Sequence, residues 1–250
     1  MTLLRLEGLV KRFGGLLVSD AVSLSVARGE LVAVIGPNGA GKTTLVNQIA
    51  GELQPDAGRI LLEGRDITAW PVHARARAGL GRSYQINAAI ADFSVLENLL
   101  LASQPLGAHS FRFWQAATRP SPILEQAREM IGCFDLEALR DRRVSTLAYG
   151  QQRLVELAMA LACRPRLLLL DEPMAGLGPA ESEEVVAILQ KMRKDYGIVL
   201  IEHDMQAVFT LADRIVVLVQ GRVVFEGSPA QVRESAVVRE AYLGDEETHV

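Results

Sequence analysis

The alternation of hydrophobic and polar positions changes character along the chain. Over the first thirty residues it has a period of two, as in LRLEGLVKRFGG and AVSLSVARGE, which predicts antiparallel strands with turns at residues 14–15 and 28–29. The run LVAVIG (31–36) is continuously apolar and ends at glycine, which is typical of a buried strand. A helix is predicted over 42–50, a turn at PDAG (55–58) and another strand at RILLEG (59–64).

From Ser94 onward apolar residues recur at three- and four-residue spacing, in SVLENLLLA and ILEQAREMIGCF, which predicts helices separated by a proline-rich loop at 105–122. The stretches RLLLLDEP, GIVLIEH and RIVVLVQGRVVFEG then predict strands that alternate with helices. We therefore expect one α/β domain over residues 1–250. Its core comprises 1–86 and 161–244, a helical subdomain is inserted at 87–160, and 245–250 form an acidic tail.

The amino-acid composition limits the classes of protein to which this chain can belong. A chain of 250 residues that is 49% hydrophobic can bury a sizeable core, which excludes disorder over most of its length. The net charge of −4 argues against nucleic acid as the main partner. We expect no leader peptide, because Arg5 and Glu7 stand among the first leucines, and no membrane span, because the longest apolar runs are short. Cys133 and Cys163 are expected to be reduced and buried.

The stretch GPNGAGKTT matches the phosphate-loop pattern G-x-x-x-x-G-K-[ST], and it stands between a buried strand and a helix start, as that pattern requires. Its glycines let backbone N–H groups curl around phosphates, and the helix N-terminus adds a partial positive charge. Lys42 should reach the β- and γ-phosphates, and the Thr43 hydroxyl should ligate Mg²⁺. A glycine-rich turn that binds nothing is disfavoured by the context. The candidate contacts are Gly36, Pro37, Asn38, Gly39, Ala40, Gly41, Lys42, Thr43 and Thr44.

Two carboxylates end the strand RLLLLDEP. Ligands of open α/β sheets bind at the carboxyl ends of the strands, so Asp171 could hold Mg²⁺ directly or through water. Glu172 could orient and deprotonate an attacking water. A solvated strand end is the plainer alternative, and the presence of a phosphate loop makes it less attractive.

Three further side chains are candidates. His203, which ends the strand of IVLIEHD, could hydrogen-bond the γ-phosphate or the water, although a lone histidine is more often structural. Gln85 in GRSYQ could contact Mg²⁺ and the same water. Phe13 could stack on a base or could equally be an ordinary core aromatic.

The segment LAYGQQR (147–153) is polar, contains a glycine and precedes a predicted helix, yet it holds no catalytic acid, base or nucleophile. With this segment, the order of the motifs resembles the ATP-binding subunit of an ABC transporter over nearly the whole chain. GRSYQ, SVLENLLLA, LAYGQQR, IEHDM and AYLG are most similar to the ATPase subunits of branched-chain amino-acid importers.

The resemblance implies a P-loop NTPase core with a mixed, mainly parallel sheet, and ATP and Mg²⁺ as cofactors. It also implies that two ATPase chains, here two different ones, pack head to tail. In such a pair Ala148, Gly150 and Gln151 of LAYGQQR would cap the γ-phosphate held by the other chain, because a helix N-terminus binds phosphate without a charged side chain. The other implied partners are membrane permeases and, indirectly, a solute-binding protein, at the cytoplasmic face of the membrane; nucleic acid is not among them.

Two positions depart from the family pattern, which usually has serine where Ala148 stands and aspartate where Gly178 stands. Both losses fall on the face presented to the opposite chain, whereas the groups acting on the chain's own ATP are intact. One lost hydrogen bond to a charged group typically costs about 1.5–3 kcal/mol. Either the site is weakened, or this branch does without the hydroxyl; we favour the second.

Some alternatives stay open. A soluble ABC-type ATPase acting on ribosomes or nucleic acid usually has two cassettes, coiled-coil arms or a basic tract, and a P-loop kinase has no use for LAYGQQR. In the inserted helical part, Phe111, Phe113 and Trp114 could contact the permeases, but such residues are more often core or loop anchors. The transported solute is an inference from resemblance only, so urea, short amides and other amino acids stay open.

Overall fold

The computed structural model describes residues 2–83, 89–104 and 122–243, and the side chains only as far as residue 240. A four-stranded antiparallel sheet contains Thr2–Phe13 (β1), Leu16–Ala27 (β2), Ala57–Leu62 (β4) and Arg65–Asp66 (β5). Its strand order is β2-β1-β4-β5. A six-stranded sheet contains Leu31–Ile35 (β3), Leu80–Arg82 (β6), Leu167–Asp171 (β7), Gly197–Ile201 (β8), Arg214–Val219 (β9) and Arg222–Gly227 (β10). Its strand order is β10-β9-β3-β8-β7-β6.

The six-stranded sheet is parallel except for β10, which pairs antiparallel with β9. Every residue of β3, β7 and β8 is buried. Their sequences are continuously apolar because other elements pack on both faces of the sheet, as is typical of parallel sheets. Alternate residues of β3 enter different cores: Val32 and Val34 pack with the antiparallel sheet, whereas Ala33 and Ile35 pack with the helices of the opposite face.

Nine α-helices lie in the described part of the chain. They are Lys42–Ala50 (α1), Val72–Arg77 (α2), Val95–Ala102 (α3), Pro122–Cys133 (α4), Tyr149–Ala162 (α5), Pro179–Met192 (α6), Met205–Leu211 (α7), Pro229–Glu234 (α8) and Ala236–Leu243 (α9). α3, α4 and α5 pack against one another. The start of α3 is fixed by a capping box between Ser94 and Glu97 and by the buried Asn98 amide, which bonds both backbone groups of Ile90.

The fold class predicted from sequence is confirmed: an α/β core carries an antiparallel N-terminal sheet and a set of consecutive helices. Two details were wrong. Cys133 and Cys163 are free but exposed rather than buried. The turn expected at 55–58 is shorter, because Ala57 already pairs with Val10 in β4. The proline-rich loop with Phe111, Phe113 and Trp114, and the acidic tail, lie outside the described residues.

None of the described helices combines the length and the apolar character that crossing a bilayer would need.

Candidate nucleotide-binding site

Four parallel strands end at one edge of the six-stranded sheet, and a polar residue or loop follows each. The phosphate-loop sequence follows β3, His203 comes after β8, Glu172 follows β7 and Ser83 follows β6. Since these strands lie side by side in the order β3-β8-β7-β6, the sheet brings together candidates that are far apart in sequence.

The loop after β3 takes a course that only glycine permits at two positions. A Cβ atom on Gly36 would lie 2.0 Å from the carbonyl oxygen of Leu218. Gly41 has φ of 100°, and a Cβ atom there would lie 2.5 Å from the carbonyl oxygen of Val18. Gly41 is also the N-cap of α1 and provides no side-chain cap. The first N–H groups of α1 are therefore left to bind an anion at the helix start.

Lys42 is buried in this loop. Its Nζ donates to the carbonyl oxygens of Gly36, at 2.6 Å, and of Pro37, at 3.0 Å. An ammonium group has three N–H donors, so one remains for a phosphate. Burial lowers the pKa of Lys42 from its ordinary value, and the charges of Glu172 and Asp171 oppose that shift. Both carboxylates at the end of β7 thus act on the lysine of the loop.

Asp171 is almost fully buried at the end of β7, and its burial raises the pKa of its carboxyl group although Arg82 opposes the shift. Its Oδ2 lies 3.4 Å from Nη2 of Arg82, whose Nη1 lies 2.9 Å from a carboxylate oxygen of Glu52. Its Oδ1 accepts no hydrogen bond from any residue that the structure describes. A buried carboxylate oxygen without a donor fits a metal ion or its water as the missing partner.

No three His, Cys, Asp or Glu side chains cluster as a ready metal site within residues 2–83, 89–104 and 122–243. The Thr43 residue is exposed at the start of α1. Mg²⁺ keeps several waters and is usually held by one or two protein groups together with substrate phosphates. Thr43 and Asp171 fit that mode of binding, in which phosphates complete the ligand set.

Glu172 has φ of 50°, a left-handed conformation that a non-glycine residue rarely adopts outside functional or strained sites. Its N–H donates to the carbonyl oxygen of Ile201 at 2.9 Å, which links the ends of β7 and β8. Its Oε1 lies 2.6 Å from Nε2 of His203. The structure therefore brings the two side chains proposed to act on the attacking water into direct contact.

Two residues of the site were missed by the sequence reasoning. The buried Glu202 carboxylate accepts N–H groups of Met174 at 2.9 Å, His203 at 2.8 Å and Asp204 at 3.3 Å, so it fixes the loops after β7 and β8. Arg82 was also missed, although it orients Asp171. Both residues could have been recognised in the sequence, because each is a charged residue at the end of an apolar strand. A charged side chain in such a buried position almost always has a partner of opposite charge or a hydrogen-bond partner.

LAYGQQR lies where a helix begins, as its sequence predicted. Ala148 is the N-cap of α5, and its own N–H donates to Oε1 of Gln151 at 3.1 Å. Because alanine has no side-chain oxygen, the first turn of α5 receives no side-chain cap. A Cβ atom on Gly150 would lie 2.2 Å from the Glu181 carboxylate of the same chain. The absence of a side chain at Gly150 thus makes room for Glu181.

Phe13, at the end of β1, is 51% exposed, which excludes the core-aromatic alternative and leaves its ring available to stack. Nζ of Lys11 lies 5.8 Å from its ring centroid. Gln85 lies outside the described residues. The glycine-rich loop, the helix start and the buried carboxylate at one sheet edge define a phosphate-loop nucleotide-binding protein.

Comparison with known families gives a more specific assignment. The family model described as ABC transporter matches residues 19–175, and the one described as branched-chain amino acid ATP-binding cassette transporter matches residues 222–248. The chain belongs to the ABC transporter family, as one of its ATP-binding subunits.

Its relatives include the high-affinity branched-chain amino acid transport ATP-binding protein BraF of Pseudomonas aeruginosa, at 40% identity over 97% of this chain and 98% of that protein. LivG of Escherichia coli, which carries the same description, is 38% identical with the same coverage. The lipopolysaccharide export system ATP-binding protein LptB of Acidithiobacillus ferridurans is 36% identical over 98% of each chain.

A crystal structure of the ADP conformation of an ATP-binding cassette of an ABC transporter superposes with a TM-score of 0.86 at 32% identity. It covers 98% of this chain and 99% of its own. The family match over residues 222–248 and the similarity to BraF and LivG confirm the likeness to branched-chain importer subunits that was inferred from the motifs.

Proposed function

We propose that this chain is a Mg²⁺-dependent ATPase that energises solute uptake through a membrane permease. The observation that carries the proposal is the convergence of Lys42, the unpaired oxygen of Asp171 and the Glu172–His203 pair at one sheet edge. These groups can hold a triphosphate, a divalent cation and a water in line with the γ-phosphorus.

The residues divide the work as follows. The backbone of 36–44 and Lys42 would bind the β- and γ-phosphates, Phe13 would stack on the base, and Thr43, Asp171 and Gln85 would hold the metal. When bound, Mg²⁺ neutralises charge on the phosphate oxygens. Glu172 would accept a proton from the attacking water while the oxygen of that water bonds to the γ-phosphorus and the bond between the γ-phosphorus and the ADP oxygen breaks. His203 keeps the Glu172 carboxylate in place, as their 2.6 Å contact indicates.

A second ATPase chain is part of the proposed mechanism. The uncapped start of α5 at Ala148 and Gly150 would bind the γ-phosphate held by the other chain, since its free N–H groups and dipole favour an anion. ATP then joins the chains, and its hydrolysis releases them. We propose that the second chain is a different ATPase, as the resemblance to branched-chain importers implies.

A groove next to the described end of β6 is a suitable permease contact. It has a volume of about 260 Å³ and lies between α2, β6 and α5. Its lining is mainly apolar and includes Val72, Leu80, Ala102, Met159 and Pro165. Ser83, which precedes Gln85 by two residues in the sequence, also lines the groove. We propose that residues 87–160 form the subdomain that docks on the permeases, with the chain peripheral at the cytoplasmic face of the membrane.

Branched-chain amino acids are the proposed solutes, supported by the match over 222–248 and by the printed names of BraF and LivG. Deleting the gene should abolish energised uptake of labelled leucine, isoleucine and valine, with glutamate uptake as the control. Wild-type protein should restore uptake, and the Glu172→Gln variant should not. Unchanged uptake of all three amino acids in the deletion strain would contradict the assignment of solute. Co-sedimentation with ribosomes rather than membranes would contradict the assignment as a transporter subunit.

A further inference from the structure

Tyr149, the first residue of α5, is half exposed and yet held at several points. Its hydroxyl donates to the carbonyl oxygen of Ala175 at 3.2 Å and accepts a hydrogen bond from Nε of Arg153 at 3.1 Å. A Cβ atom on Gly176 would lie 3.0 Å from its ring, so the ring also packs against that glycine. Tyr149 therefore bridges the start of α5 and the segment 172–178, which follows the catalytic strand β7.

Arg153 keeps this tyrosine in position. Its guanidinium lies 5.3 Å from the centre of the Tyr149 ring, and its Nη1 lies 2.9 Å from a carboxylate oxygen of the buried Glu156. The hydroxyl of an exposed tyrosine usually adds little to the rigidity of the structure, because the side chain is free to change its rotamer. Here the Arg153 guanidinium lies over the ring and is held by Glu156 one turn further along α5. Arg153 therefore fixes the orientation of the Tyr149 hydroxyl.

Glu181 makes a second connection between the same two parts of the chain. Its carboxylate accepts the N–H of Gly178 at 2.9 Å and occupies the space that a side chain on Gly150 would fill. The start of α5 is thus connected to the segment 172–178 through Tyr149, and Glu181 of α6 lies beside both Gly150 and Gly178. A displacement of the segment 172–178 would carry the start of α5 with it.

The segment 172–178 is in turn tied to the catalytic residues. The N–H of Ala175 donates to the carbonyl oxygen of Glu172 at 3.1 Å, and the N–H of Met174 donates to the Glu202 carboxylate beside His203. One hydrogen-bonded turn therefore separates Glu172 from the residue that Tyr149 binds.

From these contacts we propose that Tyr149 is a positioning residue that couples two ATP sites. This inference rests on the proposed function, in which α5 caps the ATP of a second chain while Glu172 acts on the chain's own ATP. The Tyr149 hydroxyl transmits the position of the Glu172 turn to the helix start offered to the other site. Coupling of this kind requires that both sites depend on the same contact.

The test uses the assembled transporter, containing this chain, the second ATPase and the permeases in lipid vesicles. Tyr149→Phe removes the hydroxyl and keeps the ring. It is compared in two backgrounds. With Glu172→Gln in this chain, only the site capped by its α5 hydrolyses ATP. With the corresponding glutamate of the second ATPase changed to glutamine, only this chain's own site hydrolyses ATP.

Tyr149→Phe should slow ATP hydrolysis in each background about fivefold, the factor that corresponds to one hydrogen bond of about 1 kcal/mol. Tyr196→Phe is the matched control and should change neither rate, because Tyr196 precedes β8 at the opposite end of the strand from His203. Slowing in one background only, or in neither, would overturn the coupling. In the one-background case Tyr149 would serve a single site.

Two measurements distinguish coupling through Tyr149 from a general loss of structure and from a failure of the proposed function. ATP affinity of the isolated Tyr149→Phe chain should stay within twofold of wild type, and its melting temperature within about 4 °C, which shows that the fold is retained. If instead Glu172→Gln leaves the ATPase rate of the complex unchanged in the presence of wild-type Tyr149, the proposed function itself fails, whatever Tyr149→Phe does.

Discussion

Nε2 of His203 lies 2.6 Å from Oε1 of Glu172, although the two residues are 31 positions apart in sequence. They meet because β7 and β8 are neighbouring parallel strands that end at the same edge. The Glu202 carboxylate fixes the backbone on both sides of this contact. The carboxylate of Glu172 is thus held by His203, and the backbone that follows each of the two strands is held by Glu202.

The contact predicts non-additive effects of substitution. Glu172→Gln should lower the hydrolysis rate about 100- to 10,000-fold, as loss of a general base does. His203→Ala should lower it through the same carboxylate, so the double variant should be hardly slower than Glu172→Gln alone. Steady-state ATPase rates of the single and double variants, measured in the assembled complex, provide the check. If the double variant instead lost rate by the product of the two single-variant factors, Glu172 and His203 would act independently and not through their contact.

Lys42→Ala should act on binding instead. It removes the ammonium group that we propose binds the phosphates and that donates to the Gly36 carbonyl oxygen in the loop, whereas Glu172→Gln leaves the phosphate loop unchanged. Calorimetric titration with ATP should give a dissociation constant close to wild type for Glu172→Gln and one that is at least about tenfold weaker for Lys42→Ala, equivalent to about 1.4 kcal/mol. If the two variants bound ATP with equal affinity, Lys42 would not be a phosphate-binding residue.

A matched pair of substitutions at the exposed Ala148 tests the phosphate-capping function of α5. Asparagine and aspartate are equally good N-cap residues and nearly equal in size, so both should preserve the helix. Only aspartate places a negative charge where the other chain's γ-phosphate would bind. The ATPase rate of the complex should therefore fall with Ala148→Asp and change little with Ala148→Asn. The same rate for both variants would argue against an anion at this helix start.

The two departures from the family pattern predict unequal sites. If the second ATPase carries the hydroxyl and the carboxylate missing at Ala148 and Gly178, the site built on this chain's Lys42 and Glu172 should be the faster. Glu172→Gln should then remove more than half of the ATPase activity of the complex, and the equivalent change in the second chain less. Ala148→Ser should accelerate only the slower site. Equal losses with no response to Ala148→Ser would make Ala148 a neutral variation.

Burial of Asp171 has a consequence for stability. Because the folded state raises the pKa of this carboxyl group, its favourable contribution is present below the unfolded pKa and is lost as pH rises through the folded pKa. At pH 8 without nucleotide, Asp171→Asn should therefore melt at a higher temperature than wild type, and Arg82 keeps Glu52 as its partner. The difference should shrink as the pH is lowered through the raised folded-state pKa of Asp171.

Melting curves at several pH values, with the exposed Asp141→Asn as control, measure this effect. Added Mg²⁺-ATP should stabilise wild type more than Asp171→Asn, because a ligand stabilises only the state that binds it. A variant that is less stable at every pH would show that the ion pair with Arg82 outweighs the cost of burial.

Much of this arrangement could be predicted from sequence, because the motifs are local and the sheet obeys a simple rule. A continuous apolar run such as β7 must be a buried strand, and its terminal carboxylates must lie at the ligand-binding edge. The helix starts at Lys42 and after Ala148 follow from the glycines and the apolar periodicity around them.

Other features depend on contacts between distant segments and leave no local pattern. Arg82 reaches Asp171 across 89 positions of sequence, and Glu181 fills the space beside Gly150 across 31. The exposure of Cys133 and Cys163 depends on how their helices pack, and residue type alone predicted the opposite. Such pairings become visible only when the elements are assembled.

The central claim is that ATP joins this chain to a second ATPase chain, and sedimentation of the purified Glu172→Gln protein tests it most directly. This variant should bind ATP without consuming it, so any bridged state should persist. We predict that it sediments as a monomer without nucleotide and as a dimer with ATP, and that Ala148→Asp prevents the dimer. A dimer that forms equally with and without ATP would contradict the account. If the chain stays monomeric until the second ATPase is added, the account holds with a different chain as its required partner.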